Sequence, residues 1–535
     1  MYHYSTRPIT RLALALTLAL GSLPASLRSQ DASRPDVGFG VNGVSVVTDG
    51  ITPAGGKVTV DSQGRIVTVG TAFSGSFPYV CVIRRLSNGV LDANFGTGGI
   101  ARFGGTSKGV VIDQADNILV LLDFVVSGSQ KDIYVLRLLG GGANAGTLDP
   151  SFGPASGAYV LSTLNATPAP ADSNAGGIAI QGDGRIVIVG DAFNPAATNN
   201  GTQDLIVVRL TPQGFVDPSF NAGSPLYFGN LQEEFAMGAA VDSQGRIFVA
   251  ALHNTFTRVY RVTSAGLPDP SVGNPNGGFE YLNGTIMLGN NILPTGIAVD
   301  SDDSVLVCGH QSGAAITGTK LWLAKYLQDS TATTWVTEED YGAPGEMAFD
   351  LAVQPDGKIV VAGFSSDPPG TAVIRYLSDG SRDPSFNQGF GGFAANLTGA
   401  VGEFASGVAI QSNGGIVLAG SNSTSFYAAR IGAPRLVTPT QLRFSSTRVG
   451  RTSKPQSLTL SNPGGAMLTD LQIRMLGSGR RDFQLLTPDE TIAGGATVSR
   501  QVKFKPRRKG VRITDVQITT ANAGSATVRF IGRGR

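Results

Sequence analysis

Short apolar runs recur along most of the chain, each entered through a polar turn. "AIQGDGRIVIVG" (Ala179–Gly190) shows the form. An apolar strand end meets a turn rich in Gly and Asp, and a continuous β-branched run follows. Relatives of this stretch end at Gly70, Leu122, Ala251, Gly309, Gly363 and Gly420. Glycines around an acidic residue can cradle phosphate, hold a metal or turn a hairpin. Seven copies of a phosphate loop make no chemical sense; seven hairpin turns do. Asp183-Gly184, Asp356-Gly357 and Asn413-Gly414 tolerate positive φ, as a two-residue hairpin requires. The runs after the turn, such as "RIVIVG" and "KIVVAG", do not alternate, so both faces of these strands are expected to be buried.

A second run follows in each copy, as in "LIVVRL" to Leu210, "YVCVIRRL" to Leu86 and "AVIRYL" to Leu377. Another turn leads to "LDPSFG" (Leu148–Gly153) or a relative, and a short strand such as "GGIARF" ends the unit. Each unit therefore reads as a four-strand meander, A to D, with no helical periodicity. Equivalent positions are Asp61, Asp113, Gln181, Asp242, Asp300, Gln354 and Gln411, spaced by 52, 68, 61, 58, 54 and 57 residues. "PDVGFGVNGVSVV", from Pro35, looks like the end of a unit without its beginning. The seventh copy stops at Ile431 without an "LDPSFG" ending. An open solenoid would want polar capping units. The split unit instead predicts a seven-bladed β-propeller closed by the N-terminal strand, with Val44 to Val47 outermost in the last blade and Asp36 near Arg430.

The combined pattern "A-I-Q-x-D-G-K-I-V-V-A-G … V-x-R-L … D-G-x-L-D-x-S-F-G" resembles the delta-60 repeat family of bacterial exported proteins, over residues 35–433. The resemblance implies a propeller and no established activity. The fifth copy departs from it, with "TEEDYG" (Thr337–Gly342) in place of "LDPSFG". Residues 434–535 change character. "SLTLSNPGG" (Ser457–Gly465), "DFQL" (Asp482–Leu485), "VKFKPRRKG" (Val502–Gly510) and the final "GRGR" read as strands and polar turns of an immunoglobulin-like β-sandwich. They resemble the abnormal-spindle/Hydin (ASH) type. The expected fold class is thus all-β: a propeller followed by a sandwich.

The first residues read as a signal peptide, 1–26. Arg7 and Arg11 precede the short apolar "LALALTLAL", and small residues follow near Ala25 and Ser26. The apolar run is too short to span a bilayer, and no cysteine follows it. Export to the periplasm, the cell surface or the medium is expected, without a transmembrane anchor. Cys81 and Cys308 lie inside apolar runs of different copies and read as small buried hydrophobes. Charge divides the chain. From Arg435 onward 18 Lys and Arg face 5 Asp and Glu, a balance of +13. The remainder, with 23 basic and 34 acidic residues, carries −11, and the two give the overall +2.

Each third strand ends in a basic residue: Arg84, Arg137, Arg209, Arg261, Lys325, Arg375 and Arg430. Asp92, Asp217, Asp269 and Asp383 follow eight residues later, and Asp149 follows an insertion. A group repeated in every unit predicts an Arg–Asp pair that fixes a corner, not a catalytic site. His253 and His310 sit at equivalent places in neighbouring copies, but no third metal ligand accompanies them. "DSDDS" at Asp300, Asp302 and Asp303 lacks calcium-loop spacing. Neither cofactor nor metal is expected, and no catalytic motif is evident. The basic cluster of Arg480, Arg481, Lys503, Lys505, Arg507, Arg508 and Lys509 reads either as a solvated face or as an anion-docking patch. Lipopolysaccharide, acidic polysaccharide, nucleic acid and the chain's own acidic part are its candidate partners. Scarce aromatics argue against a nucleic-acid platform.

The expected function is a non-enzymatic binding or adhesion protein. Its ligand is unknown, with polysaccharide or another envelope component, or a protein, in view. A lyase or glycosidase at the propeller mouth and a purely structural surface protein are the alternatives. Long, dissimilar B–C and D–A connections place the expected ligand face near Phe73, Phe193, His253, His310 and Phe364.

Overall fold

The computed structural model describes residues 35–535 except 37–38, 49–52, 128–129, 162–172, 194–202, 229–233, 254–255, 270–291, 312–318, 327–332, 340–344, 385, 388–390, 413, 433–435, 437, 463–467, 469–470, 486–490, 493–496 and 521–524. The expected signal peptide and Asn413 lie outside the described residues, as do most of the long connections expected at the ligand face. One compact unit spans Ala32–Ala433, and another contains Pro434–Arg535.

The β-branched runs form the second strands of small antiparallel sheets. β1 (Val44–Val47) precedes the first sheet, which holds β2 (Ala54–Val60), β3 (Ile66–Ser74), β4 (Phe77–Arg85) and β5 (Ile100–Gly104). The second holds β6 (Thr106–Ile112), β7 (Ile118–Ser127), β8 (Gln130–Leu138) and β9 (Ala158–Leu161). The third holds β10 (Asn174–Ile180), β11 (Ile186–Phe193), β12 (Gln203–Leu210) and β13 (Leu226–Phe228). Three strands make the fourth among the described residues: β14 (Glu234–Val241), β15 (Ile247–His253) and β16 (Phe256–Val262). The fifth holds β17 (Ile292–Val299), β18 (Val305–Gln311), β19 (Lys320–Tyr326) and β20 (Thr333–Glu339). The sixth holds β21 (Met347–Val353), β22 (Ile359–Ser366), β23 (Pro369–Tyr376) and β24 (Gly392–Ala395). The seventh joins β25 (Phe404–Ile410), β26 (Ile416–Ser421) and β27 (Phe426–Ile431) to β1, which lies antiparallel to β27 with Val44 opposite Ala429.

Adjacent sheets pack face to face, which is why the second strands are apolar on both sides. Val69 and Val82 of the first sheet share a core with Val120 and Leu136 of the second. Leu119 and Val135 continue it into Ile186 and Val208 of the third. Val58 and Ile66 of the first sheet pack on Val417 and Ala419 of the seventh. Cys81 and Cys308 are both buried, as small core residues.

The turns differ from the expected two-residue hairpin. Gly184 N–H bonds the Gln181 carbonyl at 2.8 Å, and Gln181 N–H bonds the Arg185 carbonyl at 2.9 Å. Only Gly184 takes positive φ, at 86°. This is a four-residue turn closed by a left-handed glycine, whose bulge preserves strand twist without asking positive φ of Asp183. Its carboxylate instead accepts the Arg185 N–H at 3.0 Å. Of "TEEDYG", residues 340–342 lie outside the described residues. Thr337, Glu338 and Glu339 are part of β20, opposite Leu323, Trp322 and Leu321, not a corner.

The Arg–Asp pair recurs, and it does more than hold a corner. Arg84 Nε donates to Asp92 at 2.9 Å, its plane covers the Phe95 ring at 4.5 Å, and Nη1 donates to the Gly140 carbonyl of the second sheet at 2.6 Å. Arg137 does the same with Asp149, Phe152 and the Pro212 carbonyl of the third-sheet segment. Arg209 repeats it with Asp217, Phe220 and the Ser264 carbonyl beyond β16. Arg375 pairs with Asp383 over Phe386. Arg430 takes its partners from far along the chain: Asp36 at 2.9 Å, the Phe39 ring, and the Ser87 carbonyl at 2.5 Å. The fifth sheet lacks the arginine. There Lys325 bonds Asp300 at 2.7 Å and Asp302 at 3.1 Å, so two carboxylates of the acidic run weighed as a calcium loop pair with an ammonium.

The second unit holds two sheets. β28 (Gln441–Arg443), β34 (Ser525–Gly534), β33 (Gly510–Thr519) and β30 (Gln472–Leu476) lie side by side in that order. β29 (Gln456–Ser461), β32 (Thr497–Phe504) and β31 (Phe483–Leu485) form the other. Strict alternation on β33 and β34 buries Val516, Ile518, Val528 and Phe530 against Leu458, Leu460, Phe483 and Phe504.

Arg430→Ala should lower the denaturation midpoint by an amount equivalent to about 3–5 kcal/mol, because Asp36 is left buried without its cation. Asp36→Ala should also destabilise. The double variant should cost clearly less than the two singles together, as residues in contact do. Additive losses in urea unfolding would show that the pair does not join these distant segments.

Candidate functional site

The first strands of the sheets line a cavity of about 150 Å³ along the middle of the first unit, with residues from β2, β6, β10, β14, β17 and β21 in its wall. Each first strand shifts register against its neighbour at one equivalent place, for instance between Ala175 and Gly177 and between Ala405 and Gly407. Such a bulge bends the strand locally. The residue after it is Gly109, Gly177, Gly238, Gly296 or Gly407 in five sheets. Space explains the choice. A Cβ on Gly177 would lie 2.8 Å from Ala239 N, and one on Gly407 would lie 2.6 Å from the Gly56 carbonyl oxygen.

Two sheets break this rule, and their exceptions meet. Lys57 and Asp350 occupy the glycine position in the first and sixth sheets. Lys57 Nζ lies 3.4 Å from Asp350 Oδ1 and donates to the Phe349 carbonyl at 3.2 Å. Asp350 Oδ2 accepts the Val408 N–H at 3.1 Å. Burial pushes the Asp350 carboxyl up, against the pull of Lys57 and this amide. Phe349 stacks obliquely with Phe404 at 5.6 Å and meets His310 edge-on at 6.2 Å. Sequence reasoning passed over Lys57 and Asp350. The signal was present: each stands four residues before the turn position, Asp61 or Gln354, where the other copies carry glycine.

Around the end where first strands begin, carboxylates hold the connections. Glu234 Oε1 accepts Tyr260 OH and pairs with His253 Nδ1, both at 2.9 Å. Glu403 accepts Thr371 OH and the backbone N–H groups of Leu397 and Thr398 at 2.7–2.9 Å. Asp123 accepts Ala175 N–H at 2.7 Å and pairs with Lys108 at 3.1 Å. Asp191 accepts from Asn174 Nδ2 at 2.7 Å. Burial and the neighbouring Asp123 push the Asp191 carboxyl up to about 7, against that hydrogen bond and Lys108 and Lys131.

The residues expected at a ligand face are scattered. His253 is buried against Glu234, and burial, then Arg258, lowers its pKa. His310 is half-buried beside Phe349, with its pKa lowered by burial. No group of three metal-binding side chains occurs among the described residues. Phe73 is half-buried at the end of β3. The Phe193 side chain lies outside the described residues. Among those residues whose side chains are described, Phe364 borders a cavity. About 320 Å³ is enclosed by Leu321, Phe364, Pro368, Ile374 and Phe393, with Glu346, Asp367, Arg382 and Asn387 as polar wall. The two sheets supply this wall jointly, since Leu321 belongs to β19 and Phe364 to β22.

In the second unit, Arg480 and Arg481 are exposed on a short 3₁₀ turn that ends in buried Asp482. Asp482 accepts Arg507 N–H at 2.8 Å and Arg512 Nε at 2.6 Å, which draws the two basic segments together. Lys505, Arg507, Arg508 and Lys509 are exposed, and Lys503 is half-buried.

The model of a family described as "Domain of unknown function (DUF5122) beta-propeller" matches residues 181–220 and 354–386. These are the third and sixth copies from turn to "DPSF" corner, so a β-propeller repeat is supported there. No curated protein matches. Among solved structures, the polysaccharide lyase Uly1 is 10% identical over 73% of this chain and 92% of its own, with a TM-score of 0.39. The ASH/PapD-like domain 7 of human CEP192 is 14% identical over 19% of this chain and 85% of its own, with a TM-score of 0.16. Neither likeness carries an argument about chemistry.

Asp191 supplies a pH prediction. Its folded pKa of about 7 stands above the unfolded value near 4. The folded state therefore binds the extra proton between these values, and stability falls as pH rises through that window. Asp191→Asn should leave the melting midpoint nearly unchanged at pH 4 and raise it at pH 8. A variant that tracks the wild type across pH 4–8 would show that Asp191 titrates normally.

Proposed function

We propose that the protein is an exported, non-enzymatic binding protein. A seven-bladed β-propeller, closed by β1, presents its loop-bearing end to a ligand. A basic immunoglobulin-like sandwich of the ASH type docks the chain to an anionic partner. The pairing of β1 with β27, the Arg430–Asp36 bond and the packing of Val58 on Val417 support closure. The basic "n-region" with Arg7 and Arg11 and the apolar "LALALTLAL" support export.

The cavity beside Phe364 carries the binding reading. It has the volume of a small-ligand site, an apolar wall and a few polar groups able to fix orientation. It runs from the second-to-third strand connection at Asp367 and Pro368 along β24 toward Arg382 and Asn387, on a frame whose repeated charges are already paired. Glu234, Glu403 and Asp123 are engaged in holding connections, so they serve the scaffold rather than a substrate. A sugar unit of a polysaccharide suits the wall. Its apolar face would lie on Phe364 and Phe393, with its hydroxyls toward Asp367, Arg382 and Asn387.

Calorimetric titration of the full chain with alginate, a polyuronate, and with neutral dextran tests this reading. At least one polymer should bind, and Phe364→Ala should weaken it about tenfold with little change in melting midpoint. Absence of binding to both, or unchanged affinity in Phe364→Ala, would reject the site. Depolymerisation of either polymer would replace this reading with the lyase or glycosidase alternative.

A further inference from the structure

The second unit carries a feature separate from the Lys503–Lys509 cluster. Alternation along β33 turns Val511 and Ile513 outward, away from the core residues Val516 and Ile518. Both are exposed, at 60% and 46%. Register fixes their neighbours. Ile513 lies opposite Ile531, and Val511 opposite Arg533. Ile531 in turn lies opposite Arg443 on β28. On the other side, exposed Leu476 of β30 faces Asp515, which pairs with Arg529 at 2.7 Å. One sheet face therefore has an apolar centre bordered by arginines. Outer faces of sandwich sheets are usually polar, so exposed β-branched side chains at this place are a departure.

We infer that this face of the β28–β34–β33–β30 sheet docks onto an anionic lipid surface. The inference rests on the reading of the second unit as a docking module, and it adds the surface and the chemistry. Charge complementarity favours the occupant. Arg443, Arg474, Arg529 and Arg533 share the face, and Asp515 is the acidic residue among them. Arginine stems are long enough to keep their charges at headgroup level while the apolar centre enters the acyl boundary. A soluble polyanion would satisfy the guanidinium groups and leave Val511 and Ile513 in water. A nucleic acid would want exposed rings to stack its bases, whereas Phe444, Phe483, Phe504 and Phe530 are spent in the core.

Flotation of the full chain with vesicles tests the inference. The chain should float with phosphatidylglycerol–phosphatidylcholine vesicles and not with phosphatidylcholine alone. Arg533→Ser should reduce partitioning about fivefold. The double variant Val511→Ser, Ile513→Ser should reduce it about tenfold, while leaving the melting midpoint and any binding to soluble alginate unchanged. Vesicle binding indifferent to the apolar double variant would overturn the surface. Retention of DNA binding without flotation would also overturn it, leaving the docking module standing through the Lys503–Lys509 cluster. Failure to bind vesicles, alginate and DNA alike would remove both.

Discussion

A guanidinium placed at the end of the third strand organises the first unit. Its Nε edge is held by an aspartate of the same copy, its face lies on the phenylalanine of the "DPSF" corner, and its Nη1 reaches a backbone carbonyl of the neighbouring sheet. Arg137, Arg209 and Arg430 repeat this three-way contact. One side chain thus sets a corner and spaces two sheets at once. A lysine cannot do this, because an ammonium offers no planar fork or stacking face. The fifth sheet, with Lys325, accordingly turns its cation back to Asp300 and Asp302 of its own turn. Buried pairs of this kind need not raise net stability over an apolar substitute. Their geometry instead restricts which arrangement of sheets satisfies every charge.

A second series of contacts works at the turns. Gln114 donates to the Gly182 carbonyl, Gln181 to Gly245, Gln354 to Gly414 and Gln411 to Gly64. Where glycine is missing from the turn, Asp116 and Asp303 adopt positive φ, at 62° each. Their carboxylates recover that strain by accepting both the N–H and the hydroxyl of Ser62 and Ser243 in the preceding copy. Corner and turn therefore clasp neighbouring sheets from the same end.

The strands, the repeat and the Arg–Asp pairs were legible because each is written within one copy. Leu119 and Ile188 had to be buried on both sides, and Arg209 had an aspartate at a constant offset. The turn type was misread because Asp-Gly and Asn-Gly suit both a two-residue hairpin and a longer turn closed by glycine; hydrogen-bond register distinguishes them, and composition does not. Lys57 and Asp350 were legible in principle, as charged residues in a glycine column, but they gain meaning only when two copies distant in sequence meet. The Phe364 cavity was half legible. Its aromatic side chain was in view, yet Leu321 enters from the preceding sheet, and no local pattern announces that wall. The outward face of β33 needed register too, since "VRITDVQIT" alternates in either direction until Val516 and Ile518 are known to point inward.

These departures locate function by subtraction. A residue that recurs in every copy is explained by the demand that every sheet pack on the next. His253 illustrates the limit of looking for reactive types alone: its imidazole is committed to Glu234, beside Tyr260, in the interior. Phe364 differs in kind. It stands half-buried, and the space beside it is not filled by the Trp or Phe that occupy other sheet interfaces, such as Trp322 and Phe248 between the fourth and fifth sheets. A packed interior closes such spaces unless something else uses them. The same reasoning applies to Val511 and Ile513, whose exposure offsets no strain and completes no core. In a scaffold that spends its repeated charges internally, an unfilled apolar wall and an uncovered apolar face are the positions at which the molecule remains able to gain free energy from a partner.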